Sequence, residues 1–255
     1  MKKKFRITLL SVSVLLIGAS VYWFQFNPVG FRMSVPLRPD YESIVENVFY
    51  DSAFRPHLTE AMTMLDQAHQ RVDEFWSAVT GTAHQGNPYF IFSADKSNLE
   101  KLGGDHDAKS LWFPVHQSYI SISDEYLNTD IVAHEMTHAE LHARLSYSAV
   151  KKIPTWFDEG IALQNDYRSQ YSEWEWRNQT DNGQKAVKPE DMDTPEEFYA
   201  GEVEDKRFRY LCAKHLVTQW LEADPGQQRL KDLISDLNDG TAEFPPTSAF
   251  TNPQQ

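Results

Sequence analysis

The sequence predicts an α+β protein: a small mixed sheet packed on one helix that carries ionisable residues, then a mainly helical C-terminal part, with one N-terminal transmembrane helix ahead of both. Three observations carry this. Short apolar runs at residues 89–92 and over 110–123, set off by Pro and Gly, read as strands. Longer segments with apolar residues three and four apart, at 56–79, 128–145, 154–166, 208–221 and 230–237, read as helices. Residues 7–26 form an uncharged, mostly apolar run behind Lys2, Lys3, Lys4 and Arg6. That length matches the hydrocarbon core of a bilayer.

In chain order, the basic flank predicts a cytoplasmic N-terminus with everything downstream exported. The aromatic end of the run (Tyr22, Trp23, Phe24, Phe26) suits a membrane–water interface and favours an uncleaved, single-pass anchor. The alternative is a cleaved signal sequence, with Leu9–Ile17 as its apolar core and Gly18-Ala19-Ser20 as the cleavage region, releasing a secreted or periplasmic protein. Residues 1–26 are thus anchor or signal. Residues 27–40, with Pro28, Gly30, Pro36 and Pro39, read as a linker, residues 41–240 as the folded domain, and 241–255 as an irregular tail.

Within the domain, Leu58, Met62, Leu65, His69, Val72, Phe75 and Trp76 share one helical face that Gly81 ends. His69 on that face is expected to be a core-edge histidine, and His106 and His116 ordinary loop histidines. Ser110–Val115 and Ser118–Ser123 are expected to pair, and Ser97–Leu102 to form a short helix. Asp124 or Asn128 caps the next helix, and Pro154 opens the one after it. Residues 168–193 read as a long surface loop or flap that walls a cleft, or equally as an ordinary packed excursion, and Thr194-Pro195-Glu196-Glu197 as a helix start.

The chain of 255 residues has a net charge of −13, and its first 26 residues contribute +4, leaving −17 on the rest. So acidic a body repels phosphate backbones, so no nucleic-acid partner is expected. A lone cysteine, Cys212, allows neither an intrachain disulfide nor a thiolate cluster, and its apolar neighbours predict a buried small side chain.

Chemistry concentrates at His134-Glu135-Met136-Thr137-His138. Residues four apart lie on one helical face, about 6 Å between side-chain roots. Two imidazoles so placed can close on one zinc ion, and the intervening Glu135 stands beside the metal, where it can take a proton from water. A third protein ligand is required. Glu159, in Trp156-Phe157-Asp158-Glu159-Gly160-Ile161-Ala162, is the candidate, because a turn and a second helix can return its carboxylate to the two histidines. Its apolar flanks make an unpartnered surface glutamate implausible. The rival HExxHxxGxxH pattern fails: Leu141 stands where Gly is needed and Arg144 where the third His is needed. His142 extends the histidine face but pairs with His138 without a base at the right offset.

With its HExxH motif, a gap of about twenty residues and a W-x-x-E-G-x-A segment, the sequence resembles the gluzincins, the thermolysin-like zinc peptidases, and most of all their small bacterial peptidase MA-like members. The likeness is firm over residues 117–165 and looser to about 240. It implies a thermolysin-like zincin fold, Zn2+ held by His134, His138 and Glu159, Glu135 as general base, and a peptide or protein substrate. It further implies an oxyanion donor from a later helix, Tyr210 or alternatively His215, and an edge strand at Tyr119–Ile122 that pairs with substrate. Thermolysin has an Asp four residues past its Glu ligand where this chain has Leu163; Asp158 is either its replacement or a solvated helix residue. The competing class is a non-enzymatic, zinc-stabilised scaffold of the cell envelope. Glu135 speaks against it, since a purely structural zinc needs no such carboxylate.

Overall fold

The computed structural model describes residues 19–20, 22–103, 109–113, 117–223, 226–241, 243–246 and 248–251. Most of the apolar run at 7–26, and with it the anchor-or-signal expectation, lies outside the described residues, as do His106 and His116. Among the described residues no helix is long and apolar enough to cross a membrane. The chain is a mixture of helices with a five-stranded mixed sheet, as expected, and divides into two compact units.

Among the described residues, the first unit comprises those between 19 and 59, 89–103, 109–111 and 119–127. Its sheet has the order β1 (Tyr41–Val45), β2 (Val48–Asp51), β3 (Tyr89–Ser93), β5 (Gln117–Ser123), β4 (Lys109–Phe113). β1 and β2 form an antiparallel hairpin, while β2–β3 and β3–β5 are parallel. Two expectations are corrected here. The segment 27–40 is not a linker: Asn27 accepts from the backbone N–H groups of Val29 and Gly30 and starts helix α1 (Pro28–Ser34), with proline where a helix tolerates it. Phe31 and Val35 then join Tyr41, Phe49, Ile91, Leu102 and Tyr119 in one core. Nor is Tyr119–Ile122 an edge strand, because β5 lies between β3 and β4. The buried Asp51 fastens the end of β2, accepting from Phe54 N (3.0 Å), Asp95 N (3.2 Å), Asn98 Nδ2 (3.3 Å) and the Ser93 hydroxyl.

Among the described residues, the second unit comprises 60–88, 112–113, 117–118 and those between 128 and 251. The long helix α2 (Leu58–Thr80) buries Leu65, Ala68, Val72, Trp76 and Val79 on one face, with His69 at its edge, and Gly81 (φ 77°) ends it. Next in the chain come α3 (Lys96–Lys101, in the first unit), α4 (Thr129–Arg144), α5 (Tyr147–Val150) and α6 (Thr155–Ala162). The stretch 168–193 is the packed excursion rather than a surface loop: it holds α7 (Glu173–Thr180), capped by Ser172, and buries Tyr171, Thr180 and Met192. Then follow α8 (Pro195–Phe198), with its Thr194–Glu197 capping box, α9 (Val203–Glu222), α10 (Gly226–Asp239) and α11 (Ser248–Thr251). α6 packs against α4 on one side and α9 on the other. The tail is not irregular throughout either. Phe250 of α11 is buried against Trp156, Phe157 and Trp220, at ring separations of 4.9, 5.6 and 5.0 Å. Cys212 is a buried free thiol.

Candidate metal centre

All the residues of the centre belong to the second unit. Asn128 caps α4 by accepting from Asp130 N (2.7 Å), and within that helix His134 and His138 stand one turn apart. Both imidazoles are buried, their Nε2 atoms 3.2 Å from one another. α6 returns Glu159 to them, with Oε2 3.3 Å from each Nε2. One nitrogen from each histidine and one Glu159 oxygen thus lie within 4.8 Å of one another, placed to hold a metal ion.

The donor set fits such an ion. Glu159 Oε2 is buried, has no hydrogen-bond partner and faces two imidazole nitrogens. An orphaned carboxylate oxygen inside a protein is costly, and a cation shared with the two nitrogens removes that cost. Among the described residues, no other His, Cys, Asp or Glu joins the group.

Around these three atoms the side chains are held from behind. Asp158, one residue before Glu159, accepts from His138 at its Nδ1 (2.7 Å) and meets His142 Nε2 at 3.0 Å. His142 is therefore bound to Asp158 rather than placed among the ligand atoms. Leu163 is fully buried in a cluster with Tyr171 and Leu211. His134 Nδ1 has no hydrogen-bond partner and lies 3.9 Å from Asp166 Oδ2, a buried carboxylate that Arg168 engages. Asn165 donates to the Thr137 hydroxyl (2.9 Å), tying the 3-10 turn that follows α6 to the middle of α4.

Burial and charge compete at each of these groups. Burial alone would depress the His138 imidazole, but Asp158 and Glu159 outweigh it and hold it well above its ordinary value. Burial alone would raise Glu159, yet His138 and His134 bring it down to about 2. Asp158 is likewise desolvated, and His142 and His138 carry it far below the usual carboxylate range.

Glu135 is buried beside the first ligand. Tyr210 of α9 sets its ring edge-on to His134 at 6.4 Å and to Phe198 at 5.0 Å. Burial first, then the charge of Glu159, keeps its phenol protonated far above neutrality. His215 is engaged elsewhere, stacked on Trp176 at 3.3 Å with Nδ1 2.7 Å from Glu173 Oε2. One residue was not anticipated from the sequence. The Tyr199 hydroxyl donates to Glu159 Oε1. Tyr199 follows the last residue of α8, where no periodicity marks it; the capping box just upstream is the only local signal.

No family model matches this chain. No curated protein and no solved structure resembles it closely enough to count as a relative.

Proposed function

We propose that this protein is an exported zinc peptidase of gluzincin type. The observation that carries the reading is the convergence of Glu159 Oε2 with the Nε2 atoms of His134 and His138, from three buried side chains, within 4.8 Å of one another. Two imidazoles and one carboxylate suit zinc, and three protein ligands leave a fourth position for a reactant. Zinc held there supplies a Lewis acid that polarises a peptide carbonyl and acidifies a water.

Glu135, adjacent to His134 on α4, takes the proton of the attacking water and delivers it to the leaving amine. Tyr210, kept protonated by burial and by neighbouring carboxylates, donates to the carbonyl oxygen as charge gathers on it. Asp158 fixes the ring of His138 by accepting from its Nδ1. Export rests on the basic N-terminal flank and apolar run, and the uncleaved anchor remains the preferred form of it.

The test compares wild type with Glu135→Gln for zinc content and for cleavage of a mixed peptide library. Wild type should carry one zinc per chain and cleave. Glu135→Gln should keep its zinc and lose activity by about 10²–10⁴-fold. Equal cleavage by the two proteins refutes the assigned base; a zinc-loaded wild type that cleaves nothing refutes the peptidase reading in favour of a scaffold.

A further inference from the structure

The Glu159 carboxylate is gripped on its second oxygen. Tyr199 donates its hydroxyl hydrogen to Oε1, while Oε2 alone faces the two imidazoles. An O–H donor on a carboxylate makes a strong, charge-assisted bond. A carboxylate with both oxygens free can close on a cation through either or both, occupying one position or two.

The backbone around Tyr199 is pinned on both sides. The Thr194–Glu197 capping box fixes the turn before it. Arg209 Nη1 donates to Phe198 O (3.3 Å) and Ala200 O (2.6 Å), binding the flanking residues to α9. Beyond it, Gly201 takes a φ of 79° that other residues rarely adopt. Phe198 is fully buried and stands edge-on to the Tyr199 ring at 5.2 Å. Tyr199 is itself 42% exposed as a residue, so its hydroxyl reaches inward from the rim of the centre to Glu159, which is only 5% exposed.

From this geometry we infer that Tyr199 is a positioning residue that restricts Glu159 to ligation through one oxygen and so keeps the metal four-coordinate, with one position left for a reactant. The inference rests on the metal-binding part of the proposed function. It also divides the labour of two neighbouring phenols: Tyr199 serves the ligand, leaving Tyr210 for the substrate.

Cobalt(II) reports coordination number directly, because a four-coordinate centre absorbs visible light far more strongly than a five- or six-coordinate one. The full chain, stripped by chelator and reloaded with cobalt(II) chloride, should give the intense spectrum. Tyr199→Phe, which removes one oxygen atom and keeps the ring on Phe198, should give the weak one and hold cobalt about 10-fold less tightly in a chelator competition. Tyr199→Leu, which removes ring and hydroxyl together, should match Tyr199→Phe, and a wild-type spectrum in Tyr199→Leu alone would already overturn the assignment. Tyr210→Phe, which leaves the Glu159 bond in place, should keep the wild-type spectrum.

A wild-type spectrum and affinity in Tyr199→Phe overturns the assignment, and so does a change confined to Tyr199→Leu. Wild type that binds no cobalt overturns the metal centre itself and Tyr199 with it. Cobalt-loaded wild type that cleaves no peptide, with Tyr199→Phe still spectrally shifted, removes only the peptidase reading and leaves Tyr199 in its role.

Discussion

Gly160 follows the third ligand candidate directly and sits where α6 meets α9. A Cβ built there would lie 2.5 Å from Val217 Cγ2, 2.7 Å from Ala213 O and 3.2 Å from Ala213 C. Ordinary carbon–carbon contacts are about 3.5–4.0 Å, so Gly160→Ala forces the two helices apart by about 1 Å. Neither obstacle yields easily, since one is a backbone carbonyl and the other a β-branched side chain with a restricted χ1. Overpacking of this kind costs about 1–3 kcal/mol, and the worst contact places this case near the top of that range. Alanine returns about 1 kcal/mol of helix propensity. The expected net loss is about 2 kcal/mol, read by urea unfolding of the chelator-treated protein. Because Glu159 is the preceding residue, the same displacement should weaken zinc binding in a competition assay. Val217→Ala on the Gly160→Ala background should restore only part of the stability, because the Ala213 carbonyl remains. A Gly160→Ala protein as stable as wild type, binding zinc equally well, would refute the close approach of α6 and α9 as the device that places Glu159.

Three further outcomes are expected. Asp158→Asn should weaken zinc affinity about 10- to 100-fold, since it withdraws the charge behind His138 Nδ1, and His142→Ala should do so less; unchanged affinity in both would deny Asp158 its orienting role. In chelator-treated protein, the raised His138 contributes stability that is complete below its ordinary value of 6.5 and is lost as pH rises through the raised one, whereas Glu159, lowered from 4.5 to about 2, contributes stability present above 4.5 and lost as pH falls. This cluster should therefore favour the stripped protein most at about pH 5, while zinc affinity falls toward acid because protons compete for His138; thermal melts and competition titrations across pH should show opposite trends. On α4, Glu140 accepts from Gln85 N (2.9 Å) and Gly86 N (3.0 Å) and pairs with the buried Arg144, which also holds the Ala83 carbonyl at 2.8 Å. Glu140→Ala leaves that guanidinium buried without its counter-charge and should cost about 3–5 kcal/mol in urea unfolding; a loss below about 1 kcal/mol would contradict the clamp.

Helices with an apolar stripe and clear punctuation were legible in the sequence: α2 ends at a left-handed glycine, α4 starts at Asn128, and α8 opens with its capping box. The misread segments lack those signals for identifiable reasons. β1 has only Tyr41 buried of its five residues and β2 buries all four, so neither shows the alternation of a half-buried strand. α1 was hidden by Pro28, although proline is compatible with a first helical turn when a cap such as Asn27 precedes it. α7 is polar on most sides, and its start depends on Ser172 accepting from Glu175 N (3.3 Å), a local bond rather than a pattern. In the tail, prolines suggested irregularity, while what orders it is long-range: Phe244 and Phe250 packed on the rings of α6.

The three donor atoms follow from spacing along two helices, and that is why they could be read in advance. His134 and His138 need only one turn of α4, and Glu159 needs only a helix that comes back. Their supports obey a different rule. Asp158 and Glu159 are consecutive, hence about 100° apart around α6. That rotation lets one carboxylate face both Nε2 atoms while the other reaches the far nitrogen of His138. Leu163, one turn past Glu159, is then free to serve the apolar cluster with Tyr171 and Leu211. A carboxylate at 163 would be buried in that apolar cluster, whereas the desolvation of Asp158 is offset by its pairing with two imidazoles. Tyr199 is further still from any pattern, because its hydroxyl meets Glu159 across 40 residues of chain through the placement of α8 against α6. Ligand identity is thus a local property of this sequence, whereas ligand geometry is a tertiary one, and substitutions at 158, 160 and 199 should alter metal binding without touching a ligand.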